Sequence, residues 1–244
     1  MTPDELRTEV AKIAWWHSID LGHGIVTPGR TNLPDKVDYI GWPDDLTGLS
    51  VLDVGAWDGL LSFEAERRGA QRVVAVDSFC WNGPGWGTKA GFDLARRALG
   101  SKVEDREIEV VDLSPETVGV FDVVLFLGVL YHLTDPLRAL QSIFSVTRSQ
   151  LILETHVDLM ACPYPAMRFY PSGQLSGDPT SFWGPNPAAV EAMLRWVGFR
   201  RVERVARRKV KPPKLIGRKR FDPRHWVRRL RRLEPTMVVF HAWR

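Results

Sequence analysis

The run Val51-Leu52-Asp53-Val54-Gly55-Ala56-Trp57-Asp58-Gly59 carries an apolar stretch into a turn punctuated by glycine. Glycines let a backbone approach a ligand closely, and the helix that follows offers free N–H groups at its start. Such a turn suits a phosphate or the carboxylate of an amino-acid moiety. The acids decide between them. Asp53 and Asp58 repel a pyrophosphate but accept from an amino group, and the three-glycine dinucleotide spacing is absent. Asp77 stands 18 residues after Gly59, where an acid ending a strand accepts from both hydroxyls of a ribose. A turn-forming aspartate is the plain alternative. Asp112 closes the next apolar stretch and can accept from an adenine amino group; it has the same plain alternative. Further on, His132 and His156 offer general bases.

The elements that must position these groups alternate. Helical spacing predicts a helix over 3–16, followed by an ordered region over 17–48 rich in Gly, Pro and Asp. Strands are predicted at 50–54, 72–76 ending at Asp77, 107–111 ending at Asp112, 121–127 and 149–154. Helices are predicted at 60–68, 90–99, 136–146 and 187–197, with a loop over 78–88. Segments 200–205 and 236–243 read as a closing strand pair. This is the pattern of an α/β doubly wound, mostly parallel sheet with an antiparallel C-terminal pair, with ligands at the carboxyl ends of its strands.

The 244 residues fit one decorated domain, with 44% hydrophobic and 25% charged residues, ordinary for a globular chain. No apolar run is long enough to span a bilayer. The first ten residues lack the basic start and apolar core of a signal peptide. Cys80 and Cys162 make neither a disulfide framework nor a zinc site. A cytoplasmic protein is expected. The net charge of +4 conceals an asymmetry: residues 207–232 hold 13 Lys and Arg against the single acid Asp222, while the remainder is acidic. That run is either a solvated surface insertion or a contact for an anionic partner such as RNA or a membrane surface. Of ten tryptophans, Trp57, Trp81, Trp86 and Trp183 fall in predicted loops, as core anchors or pocket walls.

With the glycine turn, the chain resembles the class I methyltransferases. More closely, Gly128-Val129-Leu130-Tyr131-His132-Leu133-Thr134-Asp135-Pro136, Trp16-His17-Ser18-Ile19-Asp20-Leu21-Gly22 and Ile25-Val26-Thr27-Pro28-Gly29 resemble the tRNA wobble-uridine 5-oxyacetic acid methyltransferase-like family. These segments cover most of residues 15–155. The resemblance implies a Rossmann-like fold with an S-adenosylmethionine (SAM) pocket over Asp53, Gly55, Ala56, Trp57, Asp58, Gly59, Asp77, Ser78, Asp112, Leu113, Gly128 and Val129. It implies that residues 1–48 are a lid segment, with Trp16 and Thr27 over the cofactor. The sequence also departs from the family. Its tRNA members are longer at the N-terminus. Those using carboxy-SAM hold the extra carboxylate with a Lys, a Tyr and an Arg. The Tyr corresponds to Tyr131, Thr236-Met237 stand where the Arg would fall, and the Lys has no evident counterpart before the glycine turn. An unpaired carboxylate in a closed pocket is costly, so ordinary SAM is the expected donor. The stretch Asp178–Asn186 resembles relatives acting on small molecules or sugars.

Methyl transfer to an alcohol gains from a base that removes the proton. His156 and His132 are the candidates, with Tyr131 lining the pocket near the methyl. Glu154 and Asp158 flank His156; they can orient it, or with it hold a divalent cation that clamps vicinal hydroxyls. His132 has a plainer role open to it, in capping the next helix or holding the loop. His17 can position substrate or lid. Phe169, Tyr170, Phe182 and Trp183 form an acceptor wall within an insertion over 156–186, or simply pack that insertion down. The leading expectation is an O-methyltransferase of a sugar-like or other small polar metabolite. The alternatives are a tRNA wobble-uridine 5-oxy methyltransferase, favoured by the basic insertion 207–232, and a non-catalytic SAM-binding regulatory protein.

Overall fold

The computed structural model describes residues 1–82, 87–175, 177–207 and 236–244. Apart from the backbone of Arg207, the basic run lies outside the described residues, as does Trp86. The chain opens with α1 (Pro3–Val10), β1 (His17–Ser18), β2 (Thr31–Asn32) and α2 (Leu33–Ile40). There follow β3 (Ser50–Val54), α3 (Leu60–Arg67), β4 (Arg72–Asp77), α4 (Phe79–Asn82), α5 (Ala90–Leu99), β5 (Glu104–Glu107) and β6 (Phe121–Leu127). Then come α6 (Pro136–Val146), β7 (Thr147–Val157), β8 (Met167–Phe169), β9 (Trp183–Pro185), α7 (Pro187–Val197), β10 (Arg201–Arg207) and β11 (Thr236–Trp243).

Seven strands form the main sheet in the order β10-β11-β7-β6-β3-β4-β5. β3 to β7 run parallel, and β11 inserts antiparallel between β7 and β10. The strand order reverses between β3 and β6, which opens the ligand crevice of this architecture beyond their carboxyl ends. Strand alternation sends Val51, Val73, Ala75, Val123, Leu125, Ile152 and Val239 to one face. There they pack against α3, α5 and the N-terminal segment, including Leu6, Val10, Trp15, Ile19, Ile25 and Ile40. The opposite face meets α6 and α7 through Leu52, Val54, Val74, Val124, Phe126, Leu151, Leu153 and Phe240. Coverage on both sides explains the nearly unbroken apolar runs of β4 and β6. Among the described residues no helix is long and apolar enough to cross a membrane, and both cysteines are free thiols.

Four expectations need correction. α1 ends at Val10, not at residue 16, because the Trp15 indole N–H donates to the Val10 carbonyl (3.0 Å), the acceptor that a further turn would use. The third strand is Glu104–Glu107, and Val110–Asp112 form a 3-10 turn. β5 is an edge strand whose charged residues suit solvent, whereas Val110 is buried beneath α6. The segment after Asp77 is not all loop: the Asp77 carboxylate accepts from the Cys80 N–H (2.9 Å) and starts α4. β7 extends to Val157, because β11 pairs with it as far as Thr236↔Val157, so His156 lies within the strand and not after it.

Candidate active site

The glycine turn follows β3 and crosses to β4, with the N–H groups of Gly55 and Ala56 donating to the Val76 carbonyl. Gly55 (φ 78°) and Gly59 (φ 85°) are left-handed. A Cβ on Gly55 would stand 2.4 Å from Val129 Cγ2, and one on Gly59 would stand 2.7 Å from Phe63 and Phe92. Close neighbours in the protein already require glycine at both places. Trp57 is also left-handed, at φ 48°, a conformation that costs a residue with a Cβ roughly 1–2 kcal/mol. Three contacts hold it there. Its N–H donates to Asp77 Oδ2 (3.0 Å), its carbonyl accepts from the Trp81 indole (2.8 Å), and its ring stacks on Trp16 at 5.0 Å.

Two acids beside this turn, Asp53 on β3 and Asp77 at the end of β4, are buried with no ion-pair partner among the described residues. Asp53 accepts from the Ser62 hydroxyl (2.6 Å), yet burial pushes its carboxyl up to about 6. Asp77 accepts from Trp57 and Cys80 and is likewise raised by burial. Buried carboxylates without a cation favour a ligand that brings one. The ammonium and sulfonium of SAM, with a ribose for Asp77, fit those acceptors.

Asp58 is differently engaged. Its Oδ2 accepts the N–H groups of Trp16 (2.8 Å) and His17 (3.0 Å), fastening the N-terminal segment to the turn. Thr27 is buried within that segment; its hydroxyl donates to the His17 carbonyl (2.6 Å) and accepts from the Ile19 N–H (2.8 Å). Ser78 accepts from the Asn82 N–H at the start of α4, and Leu113 is buried in the core beside the exposed Asp112. Gly128 (φ 78°) donates to the Glu154 carbonyl, and Val129 packs on Gly55, which joins the turn to the second half of the site.

That half gathers around Tyr131. A 3-10 turn, Leu130–His132, carries Tyr131 and His132. The Tyr131 ring lies 4.1 Å from the His132 ring and 4.5 Å from that of His156. Burial, with Glu154 and Asp178 nearby, pushes its phenol up, so it is a neutral donor. His132 Nδ1 lies 3.1 Å from the Thr180 carbonyl and 3.0 Å from the Thr180 hydroxyl. That hydroxyl donates to Asp178 Oδ1 (2.8 Å), so both oxygens accept from Nδ1. Nδ1 therefore carries the proton and Nε2 is the basic nitrogen. Burial lowers His132, while the Thr180 carbonyl and Asp178 (3.7 Å) oppose that shift. His156 is pushed down to about 4 by burial and by His132, and its buried Nδ1 has no hydrogen-bond partner among the described residues. A base must hold its proton during transfer, and His132 is better placed to do so.

Glu154 and His156 share the face of β7 that the N-terminal segment covers, because residues two apart on a strand point alike. There Lys36, from α2, forms an ion pair with Glu154. Sequence reasoning missed this lysine, since nothing local marks it. It named the stretch Asp178–Asn186 but gave Asp178 and Thr180 no role beside His132, although Asp-Pro-Thr-Ser is a side-chain-to-backbone turn signature. The Lys36 charge is already matched by Glu154. Met237, beside His156 on β11, brings no charge. Neither residue supplies a free cation for a carboxylated donor.

Asp158 lies beyond the strand and is committed elsewhere. It accepts from the Tyr170 hydroxyl and pairs with Arg168 (3.3 Å). Among the described residues no three His, Cys, Asp or Glu side chains converge on a point that could hold a metal. The alternative of a cation on Glu154, His156 and Asp158 therefore lacks a ligand set among the described residues. Phe182 reaches the site through its N–H, which donates to the Tyr131 carbonyl, and the Trp183 indole donates to Leu133 (3.0 Å). Tyr170 is buried, whereas Phe169 is exposed and lies 5.0 Å from the Trp183 ring.

The profile of a methyltransferase-domain family matches residues 29–204. A ubiquinone biosynthesis O-methyltransferase of Xanthomonas campestris pv. campestris is 32% identical over 147 residues, 58% of this chain and 57% of that protein. A tRNA U34 carboxymethyltransferase of Campylobacter hominis is 34% identical over 113 residues, 46% of this chain and 37% of that protein. The chain thus spans 57% and 37% of the length of these two curated relatives. The N-terminal domain of EvdMO1, solved in the presence of SAH and D-fucose, superposes with a TM-score of 0.69 at 18% identity, over 100% of this chain and 97% of that one. That likeness bears on the fold. With the family profile spanning both the glycine turn and the Tyr131–His132 turn, the chain belongs to the methyltransferase-domain family.

Proposed function

We propose that the chain is a SAM-dependent O-methyltransferase acting on a hydroxyl of a sugar-like or other small polar metabolite. The observation that carries this reading is His132, held in one tautomer with Nε2 basic, on the turn that packs against the glycine motif. SAM, when bound, supplies an electrophilic methyl group. Asp53 and Asp77 accept from its ammonium and ribose. His132 Nε2 would take the acceptor's hydroxyl proton as the O–C bond forms and the methyl–sulfur bond breaks, leaving S-adenosylhomocysteine, and Asp178 would stabilise the imidazolium. Tyr131 donates from its phenol at the same place, and His156, neutral across the physiological range, offers hydrogen bonds to the acceptor. An O-methyltransferase among the relatives and the sugar named with EvdMO1 support an alcohol acceptor.

A second reading, methylation of a tRNA wobble uridine 5-oxy group, is favoured by the tRNA-modifying relative and by the basic run Arg207–Arg232. Labelled SAM offered to total tRNA and to a small-molecule and oligosaccharide extract separates the two. Label in the metabolite pool alone is expected. Label in tRNA that disappears when Arg228, Arg229, Arg231 and Arg232 are neutralised would replace the first reading with the second, and that activity would fall steeply with salt.

A further inference from the structure

We propose that the Lys36–Glu154 pair is an acceptor subsite that engages a hydroxyl neighbouring the methylated one, restricting the acceptor to vicinal diols. This rests on the O-methyltransferase reading and narrows it. The Glu154 side chain is only 6% exposed and that of Lys36 20%. Among the described residues each side chain is the other's sole side-chain hydrogen-bond partner. An ammonium has three N–H groups and a carboxylate several acceptor positions, so most of the capacity of both groups is uncommitted at a nearly buried place. Such a pair is costly unless something completes it.

The position of the pair indicates what completes it. Glu154 lies on the face of β7 that carries His156, and Tyr131 connects that face to His132 by ring contact on both sides. The pair is neutral as a unit. A ligand carboxylate would meet Glu154, and a ligand amine would meet Lys36. A hydroxyl is both donor and acceptor, and can give its proton to Glu154 while accepting from Lys36. Anchoring α2 does not require the pair. The His241 imidazole already donates to the Ile40 carbonyl (2.8 Å) at the helix end, and Gly41 packs against Val205 and His241.

The test uses the full chain loaded with SAH. Ligand-observed NMR follows D-fucose, D-galactose and L-rhamnose, each beside analogues lacking one ring hydroxyl. The wild-type protein is expected to bind at least one of these sugars and to lose about tenfold in affinity when one particular hydroxyl is removed. Lys36→Met and Glu154→Gln should each weaken sugar binding. The double variant Lys36→Met/Glu154→Leu leaves no charge unpaired, and keeps the test open if a single variant fails to fold. It should bind SAH as the wild type does and no longer distinguish the deoxy sugar. Wild-type protein that binds none of the sugars, or a double variant that keeps the discrimination, overturns the assignment. Methyl transfer from labelled SAM is measured alongside. Discriminating binding without transfer would preserve the subsite and remove the O-methyltransferase reading. Transfer with discrimination unchanged in the double variant would do the reverse.

Discussion

The proposed cofactor end and the proposed acceptor end of this site are built by opposite means. At the cofactor end, residues 53–59 and 77 lie close in sequence, and backbone amides and one hydroxyl occupy the carboxylates. Glycine is fixed there by neighbouring side chains. At the acceptor end, Lys36, Tyr131, His132, Glu154, His156 and Asp178 come from separate segments and meet through side chains. One end is a local motif that any ligand of the right class can use. The other is a tertiary construction, and selectivity has room to vary there.

Variants at the two ends should accordingly fail in different measurements. The largest effect is expected for His132→Ala: kcat falls roughly a hundred- to ten-thousand-fold, while SAH affinity by calorimetry stays as in the wild type. A variant that keeps its rate would reduce His132 to a clasp for the 178–182 loop. Asp77→Ala should do the converse, lowering SAH affinity about a hundredfold through two lost hydrogen bonds to an ionised group, with a smaller change in kcat at saturating SAM. Unchanged affinity would leave Asp77 as no more than the start of α4.

A subtler separation comes from pH. A base works when deprotonated, and His132 lies below the ordinary histidine value of 6.5, so the rate plateau should extend below that pH. The Asp178 carboxylate holds His132 up. In Asp178→Asn the acid limb of the kcat profile should therefore move to still lower pH, with a few-fold loss in height; a shift to higher pH contradicts the pairing. The smallest effect is expected for Trp57→Gly. Relief of the left-handed backbone and loss of the Trp16 stack are of similar size, so thermal stability should change by no more than about 1 kcal/mol. SAH affinity should stay within a few-fold, and a larger loss would make the ring itself part of the cofactor site.

How much of this was legible in the sequence follows the same division. The glycine turn, Asp77 and the helices over 90–99, 136–146 and 187–197 were readable because local pattern and capping determine them. The third strand was misplaced because Val110 and Val111 read as a strand, whereas tertiary packing folds them into a turn and gives the edge to Glu104–Glu107. His132 could be named from its motif, but its tautomer depends on Thr180, 48 residues away. Lys36 and Glu154 are 118 residues apart, and neither carries a mark of the other.

The His241 bond to the Ile40 carbonyl spans 201 residues and ties the helix bearing Lys36 to the last strand of the sheet. On a ribosome α2 emerges well before its anchor, which lies 201 residues further along the chain. Contacts of such separation form slowly, because a long loop must close before they contribute. The glycine turn can take shape as soon as β3 to β6 have paired, but the acceptor end must wait for β11. A nascent chain would thus acquire the means to bind its methyl donor before it acquires the means to choose what to methylate.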